Sequence, residues 1–533
     1  MSPVLPRSPH APSAAPRGLT FARCLGGSLV AFALAFVPVG PALAAESAVA
    51  AATEEVAPVS DLAAVLDPLM DDALFRRSPA AVHVVNVRTG EEVYSRSADQ
   101  ALLPASTMKV ITTAAALRTL GSSYTFNTDL LHTGELGDDG TLTGDLYVRG
   151  GGDPTLVLER LWKLVQELRL EGVRKIAGDV VFDDDAFDVN AGIPGWDKAL
   201  DVANGPAYYP PLGALSLNYN TVAIYVGPGA ELGAPARVEL ETPSGVIEID
   251  NQATTGSANG RRWLELDREI DGVKTRFSLT GVVPAGSDTQ RYYRSVGDPT
   301  AYFTGAFAAL CKEQGVKVTG HFIDGSTPDD AVLLVRQESA SLGVILQTVD
   351  KHSNNFMAEM VLKAMGAEQI GAPGTTEKGV QVVRDYLEGL GLDLTEATIV
   401  NGSGLTRIGG IRPELLTAVM VDMHDDRAVG PEFRSALSIG GADGTLRSRF
   451  RDEDQLGRVR GKTGSLNGVH CLTGFVDAND GDVYAFAFLV NDIRGPLSKA
   501  RQLHDRFVEA LLEYGGSLEL ASLEDESSED TGE

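Results

Sequence analysis

The chain has 533 residues, a formal charge of −28, 43% hydrophobic residues and 22% charged residues. At about 150 residues per domain, this length and balance predict three to four folded units with sizeable cores. The acidic excess excludes the basic stripe that nucleic-acid binding requires, and three cysteines without a CxxC or Cys/His cluster exclude a disulfide scaffold and a zinc site.

Residues 1–44 have the order of a secretory signal. Arg7, Arg17 and Arg23 precede an apolar run from Leu25 to about Val39, no acid occurs before Glu46, and Ala42-Leu43-Ala44 offers a cleavage site. Gly26, Gly27, Pro38, Gly40 and Pro41 interrupt a run barely long enough to span a bilayer, so the expectation is an exported chain without a strong membrane anchor. Cleavage leaves Cys311 and Cys471, read as two buried thiols with a disulfide left open. Residues 45–60 are Ala/Glu-rich and read as a linker.

Leu62, Val65, Leu69 and Leu74 predict a helix over Asp61–Phe75. Ala80–Val87 and Glu92–Ser95 predict two strands about a Thr89-Gly90 turn. A helix then runs from about Ala105 to Leu120, stopped by Gly121. It opens with Ser106-Thr107-Met108-Lys109. Positions i and i+3 share a helix face about 5–6 Å apart, so Lys109 can be the base that turns the Ser106 hydroxyl into a nucleophile. An unperturbed lysine is neutral only about 0.04% of the time at pH 7, so Lys109 must be desolvated or lie near a second cation. Met108, Val110 and Ile111 supply apolar neighbours.

Segment 126–330 differs in texture. It is rich in Gly, Asp, Pro and Thr, with many short strand-like runs, and reads as inserted β-rich material in two units. Asp183-Asp184-Asp185 lacks the remaining ligands and the glycine of a calcium loop, so it reads as a solvated turn. Ser353-Asn354-Asn355 follows in a stretch predicted to be helical, with Phe356, Met360 and Val361 marking the apolar face. S-x-N also occurs at Ser216, Ser257 and Ser465, none in such a setting.

Gly457–Ser465, Val469–Val476 and Val483–Asn491 predict three strands, with turns at Asn467-Gly468 and Asn479–Gly481, before a helix over Leu497–Tyr514. The economical arrangement is one five-stranded antiparallel sheet flanked by helices, in which both ends of the chain meet. The first of these strands carries Lys462-Thr463-Gly464-Ser465. Lys462 is the second cation, and the Thr463 and Ser465 hydroxyls could hold a substrate carboxylate. Gly464 lets a substrate backbone approach. The run Gly457–Thr463 misses a phosphate loop by one residue and lacks its strand–loop–helix setting. His352 and His470 sit near these serines, but no G-x-S-x-G elbow supports a histidine triad. Residues 516–533 form an acidic tail without bases, expected to be disordered.

S-x-x-K, then S-x-N, then K-T-G, in that order, resembles the active-site set of penicillin-binding proteins and serine β-lactamases. The long separation of Ser106 from Ser353 resembles the low-molecular-mass class C penicillin-binding proteins, the D-alanyl-D-alanine carboxypeptidase/endopeptidase family. Gly144–Thr155, Ala214–Asn220, Asn401–Leu405 and Gly444–Arg447 resemble the same family, with Asn401 where an Asp is common. The likeness spans roughly residues 60–515.

The resemblance implies an α+β, transpeptidase-like domain over 60–125 and 331–515, with a helical cluster beside its sheet. Two nested β-rich inserted domains follow from it, at 126–190 with 300–330 and at 191–299. It implies that Ser106 is acylated by the penultimate D-alanine, Lys109 accepts its proton, Ser353 relays a proton to the leaving group and Asn355 holds the substrate amide. Lys462, Thr463, Gly464 and Ser465 would serve the terminal carboxylate, and the backbone N–H groups of Ser106 and Ser465 the oxyanion. Arg407 and Trp196 are candidates for the peptide side chain from their position. The implied partners are peptidoglycan stem peptides and inhibitory β-lactams, with no cofactor or metal, on the periplasmic or extracellular side. A non-catalytic penicillin sensor or wall-binding scaffold, and a serine β-lactamase, are the competing readings.

Overall fold

A computed structural model describes residues 62–188, 192–196, 204–479 and 481–514. The expected signal at 1–44, linker at 45–60 and tail at 516–533 lie outside the described residues. Among those described, no helix is long and apolar enough to cross a membrane.

The beginning and end of the described chain share one antiparallel sheet. Its order is Ser438–Ile439, Val459–Leu466, Val469–Asp477, Val483–Val490, Ala80–Asn86 and Glu92–Arg96. The sequence predicts five strands; the structure adds the two-residue edge strand Ser438–Ile439. That strand pairs only with Gly461 and Arg460, so it leaves the edge of the Lys462 strand uncovered from Lys462 onward. Gly468, at φ +73, makes the Asn467-Gly468 hairpin turn possible.

The strand Val483–Val490 explains how the sheet is held. Tyr484, Phe486 and Phe488 join the core of the terminal helices Leu62–Met70 and Leu497–Glu513, while Ala485, Ala487 and Leu489 join the core of the helical cluster. With both faces covered, the strand is buried along nearly its whole length, and no polar alternation is left to read. The cluster comprises Met108–Leu120, Leu342–Lys351, Asn355–Gln369, Thr376–Gly389 and Pro413–Asp425.

Two helices depart from their predicted form. The first ends at Met70, short of Phe75. Ser353-Asn354-Asn355 lies at the link between Leu342–Lys351 and Asn355–Gln369 rather than inside a helix. Asn354 caps the second helix by accepting from the Met357 N–H at 3.0 Å. Ser353 adopts φ +55, which a right-handed helix interior excludes.

The inserted material forms a sheet ordered Phe322–Asp324, Val180–Asp183, Leu146–Gly150, Asn127–His132 and Val332–Glu338, and it shares a core with helices Leu158–Leu170 and Pro299–Gln314. Within it, Thr221–Gly227 pairs with Arg237–Leu240 and Gln290–Ser295, and Lys274–Pro284 pairs with Ile247–Asn251, Thr254–Gly256 and Trp263–Asp271. Strand Val332–Glu338 falls beyond the expected boundary at 330 yet pairs with Asn127–His132, so the inserted sheet extends further along the chain. Cys311 and Cys471 are free thiols, buried in separate cores.

Candidate active site

Ser106 lies in a 3-10 turn, Ala105–Thr107, that leads into the helix Met108–Leu120. One turn on, Lys109 is fully buried, and its Nζ is 3.0 Å from Ser106 Oγ. The same nitrogen donates to Asn355 Oδ1 and to the Ser403 carbonyl, each at 2.7 Å. Neither of those oxygens can donate a proton. A neutral Lys109 therefore gives its two N–H groups to them and turns its lone pair toward the Ser106 hydroxyl. Burial holds the Lys109 amine well below the usual lysine range, and the nearby Lys462 charge pushes it lower.

Lys462 is also fully buried, and its Nζ donates to Ser353 Oγ at 2.9 Å and to the Thr463 carbonyl at 2.7 Å. Burial lowers its proton affinity, and the Asp350 carboxylate works in the opposite direction. The geometry thus gathers Ser106, Lys109 and Asn355 into one set, and Lys462 with Ser353 into a second.

Strand alternation separates the last motif. Lys462 pairs with Thr473 and Ser465 with His470, so their side chains leave opposite faces of the sheet. The Ser465 hydroxyl meets His470 Nδ1 at 3.2 Å. The Thr463 hydroxyl donates to Thr445 Oγ1 at 2.9 Å. A Cβ on Gly464 would lie 2.6 Å from the Pro104 carbonyl, so the strand reaches the Ser106 turn only because this residue is glycine.

The remaining candidates fall as follows. Trp196 is buried; its Nε1 donates to Ser403 Oγ at 3.3 Å and its ring lies over Tyr209. Arg407 is exposed on the loop beyond Leu405. His352 is exposed, and His470 is held neutral by burial, its imidazole pushed down to about 4. The Asp183–Asp185 run is not a solvated turn: Asp183 and Asp184 are buried. Asp183 accepts from the Asp185 and Thr327 N–H groups, Asp184 from the Leu215 N–H and the Thr300 hydroxyl, and Asp185 from the Ser326 hydroxyl. The run ties the inserted strands to their loops.

Nothing in the local pattern of the segment Asn401–Leu405 assigns it a role; its contacts do. Gly404, at φ +71, brings this loop so close to Ala105 that an added Cβ would sit 1.9 Å from the Ala105 carbonyl. The buried Glu359 fixes the loop by accepting from the Gly402 N–H at 3.0 Å and the Ser403 N–H at 2.7 Å. Asn401 suits its place: its Oδ1 accepts from the Gly404 N–H, and its amide nitrogen donates to the Pro194 and Leu405 carbonyls. From the inserted side, the Tyr208 carbonyl accepts from Asn355 Nδ2 at 3.2 Å.

A sheet covered by terminal helices on one face and a helical cluster on the other places the chain in the penicillin-binding, transpeptidase-like class. The structure of penicillin binding protein 4 from Haemophilus influenzae has this fold, with a TM-score of 0.72 at 24% identity, over 83% of this chain and 97% of that one. The chain belongs to the D-Ala-D-Ala carboxypeptidase 3 (S13) family, which its residues 62–511 match. It is 34% identical over 515 residues to a D-alanyl-D-alanine carboxypeptidase of an Actinomadura species, covering 92% of each chain. It is 25% identical over 414 residues to the D-alanyl-D-alanine carboxypeptidase DacB of Haemophilus influenzae, covering 76% of this chain and 84% of that one. These likenesses make it a serine-type carboxypeptidase of the low-molecular-mass class C penicillin-binding proteins, similar to penicillin-binding protein 4.

Proposed function

We propose that the chain is exported through its N-terminal signal and removes the terminal D-alanine of peptidoglycan stem peptides through an acyl-enzyme on Ser106. The observation that carries this reading is the fully buried Lys109 with its Nζ 3.0 Å from Ser106 Oγ. Ser106 Oγ attacks the carbonyl carbon of the penultimate D-alanine while Lys109 takes the hydroxyl proton. The backbone N–H groups of Ser106 and Ser465 stabilise the oxyanion, worth about 2.7–4 kcal/mol for one donor. The C–N bond then breaks, and Ser353, supported by Lys462, passes a proton to the departing D-alanine amine. Water hydrolyses the ester and restores Ser106.

The uncovered edge of the Lys462 strand suits a peptide backbone lying alongside it. Lys462 and the Thr463 hydroxyl attract the terminal carboxylate, and Ser465 serves through its backbone. The Asn355 amide contacts the substrate amide. Arg407 contacts the stem-peptide side chain, and Trp196 acts by holding Ser403. The same cleft cleaves cross-links when the acceptor strand fits, which is the endopeptidase reaction. Penicillin acylates Ser106 by opening its lactam ring, and slow hydrolysis leaves it trapped.

Intact-mass and peptide mapping after incubation with penicillin tests the reading, with Ser106→Ala as control. The expected result is a stable adduct on the Ser106 peptide, absent from the variant, together with D-alanine release from a synthetic peptide ending in D-alanyl-D-alanine. No adduct with intact drug would leave a binding protein; no adduct with hydrolysed drug would make it a β-lactamase.

A further inference from the structure

One buried acid beneath the site has no part in this chemistry. Asp350 lies three residues before Ser353, near the end of the helix Leu342–Lys351, and is fully buried. Its Oδ2 accepts from the Thr113 hydroxyl at 2.9 Å, and its Oδ1 has no hydrogen-bond partner among the described residues. Thr113 is one turn beyond Lys109 on the same face of its helix. A buried carboxylate with one oxygen unpaired is costly unless a nearby charge offsets it.

The elements around Asp350 supply few such charges. The helix Met108–Leu120 contributes Lys109, and the strand Val459–Leu466 contributes Lys462. Glu359, on Asn355–Gln369, is occupied by the Gly402 and Ser403 N–H groups. Asp443, before the turn Gly444–Leu446, is paired with Lys351. On Gly430–Ala436, Glu432 lies against Gly343 at the far end of the Asp350 helix, and Arg434 pairs with Asp477. Lys109 and Lys462 form no direct ion pair among the described residues, and both feel the Asp350 charge.

We propose that Asp350 is a positioning residue for the site's proton: its buried carboxylate keeps the positive charge on Lys462 and so leaves Lys109 as the free amine that Ser106 requires. The inference rests on the reading of function given above. Asp350 is the group that counters the effect of burial on Lys462. Lys109 responds most to burial and then to the Lys462 charge, both of which lower its proton affinity, and less to Glu359 and Asp350, which raise it. With Asp350 ionised, the proton is therefore cheaper on Lys462. Without Asp350, both lysines lose affinity, and Lys462 loses the charge that offsets its burial.

The test is the pH dependence of penicillin acylation in the full chain, for the wild type and for Asp350→Asn. Asparagine keeps the volume and an acceptor for Thr113. The alkaline limb, where Lys462 loses its proton, should move down by about one pH unit. Asp350→Glu, which restores the charge, should return that limb toward the wild-type position even if crowding lowers the rate. Asp350→Leu carries the same expectation as Asp350→Asn should the asparagine variant not fold. An unmoved limb with a merely lowered unfolding temperature would make Asp350 a structural residue and overturn the inference. A readout without substrate separates this from the reading of function. In NMR of the lysine Cε signals, Lys462 should titrate at lower pH in Asp350→Asn. An unmoved Lys462 titration overturns the inference whether or not penicillin acylates Ser106.

Discussion

Two buried groups of acids in this molecule are handled in opposite ways. At the inserted sheet, Asp183 and Asp184 have each carboxylate oxygen satisfied by a donor, one from their own turn and three from neighbouring segments. Beneath the two lysines, Glu359 is satisfied in the same manner, but Asp350 keeps one oxygen unpaired among the described residues. An acid saturated by N–H and O–H donors fixes where a chain segment lies. An acid left partly unpaired beside cations sets where charge resides. Glu359 stands between the two cases, because the loop it fixes carries the Ser403 carbonyl that accepts a hydrogen bond from Lys109.

The largest effect is therefore expected from Glu359→Gln. Glutamine offers one acceptor to two buried N–H donors and turns its own NH₂ toward one of them. The loop must move, and the Ser403 carbonyl with it. Because a displacement of about 1 Å at a catalytic group can cost about 10²-fold, penicillin acylation should slow by about that factor. Stopped-flow acylation alongside thermal unfolding checks this. A variant that unfolds at lower temperature but acylates at the wild-type rate would place Glu359 with the purely structural acids.

Asn401→Asp sharpens the contrast from the other side. It adds a carboxylate where acceptors already wait, since the Asn401 amide nitrogen serves the Pro194 and Leu405 carbonyls. Leaving those buried groups unpaired should cost about 1–3 kcal/mol of stability, with a smaller loss of acylation than in Glu359→Gln. Chemical denaturation of both chains measures it. Equal stability would mean that the loop rearranges around the new charge.

The arrangement of the site was legible where local spacing governs it. Ser106 and Lys109 meet because i and i+3 share a face, and the terminal strands are apolar runs whose bounding turn residues make them hairpins. Ser353 was placed inside a helix because its apolar neighbours continue the period, and nothing local announces a left-handed residue at a helix junction. The motif alone points the Ser465 hydroxyl toward substrate because a motif has no faces; pairing with His470 across the sheet decides its direction. Glu359 and Asp350 were invisible as supports, since what makes them matter is contact with segments far away in sequence. The Asp183–Asp185 run misled for a related reason. Three adjacent acids look solvated until the loops carrying Leu215, Ser326 and Thr327 and the helix residue Thr300 close over them.

Asp184→Asn is the mildest test, because it should leave acylation unchanged and alter only how stability follows pH. Burial pushes the Asp184 carboxyl up to about 6. The unfolded chain, with an ordinary carboxyl near about 3.9, gives up its proton first as pH rises. The stabilising contribution of this group is thus fully present below about pH 4 and is lost as pH climbs through its folded value. Asparagine does not titrate, and it can still accept from the Leu215 N–H while donating to the Thr300 hydroxyl. Relative to the wild type, the variant should gain about 2–3 kcal/mol between pH 4 and about pH 7. Thermal unfolding of both chains across that range reads the difference. Parallel curves would mean that its two donors hold Asp184 ionised throughout, so that saturation alone outweighs burial. A slowing of acylation in the variant would break the separation between the two groups of acids.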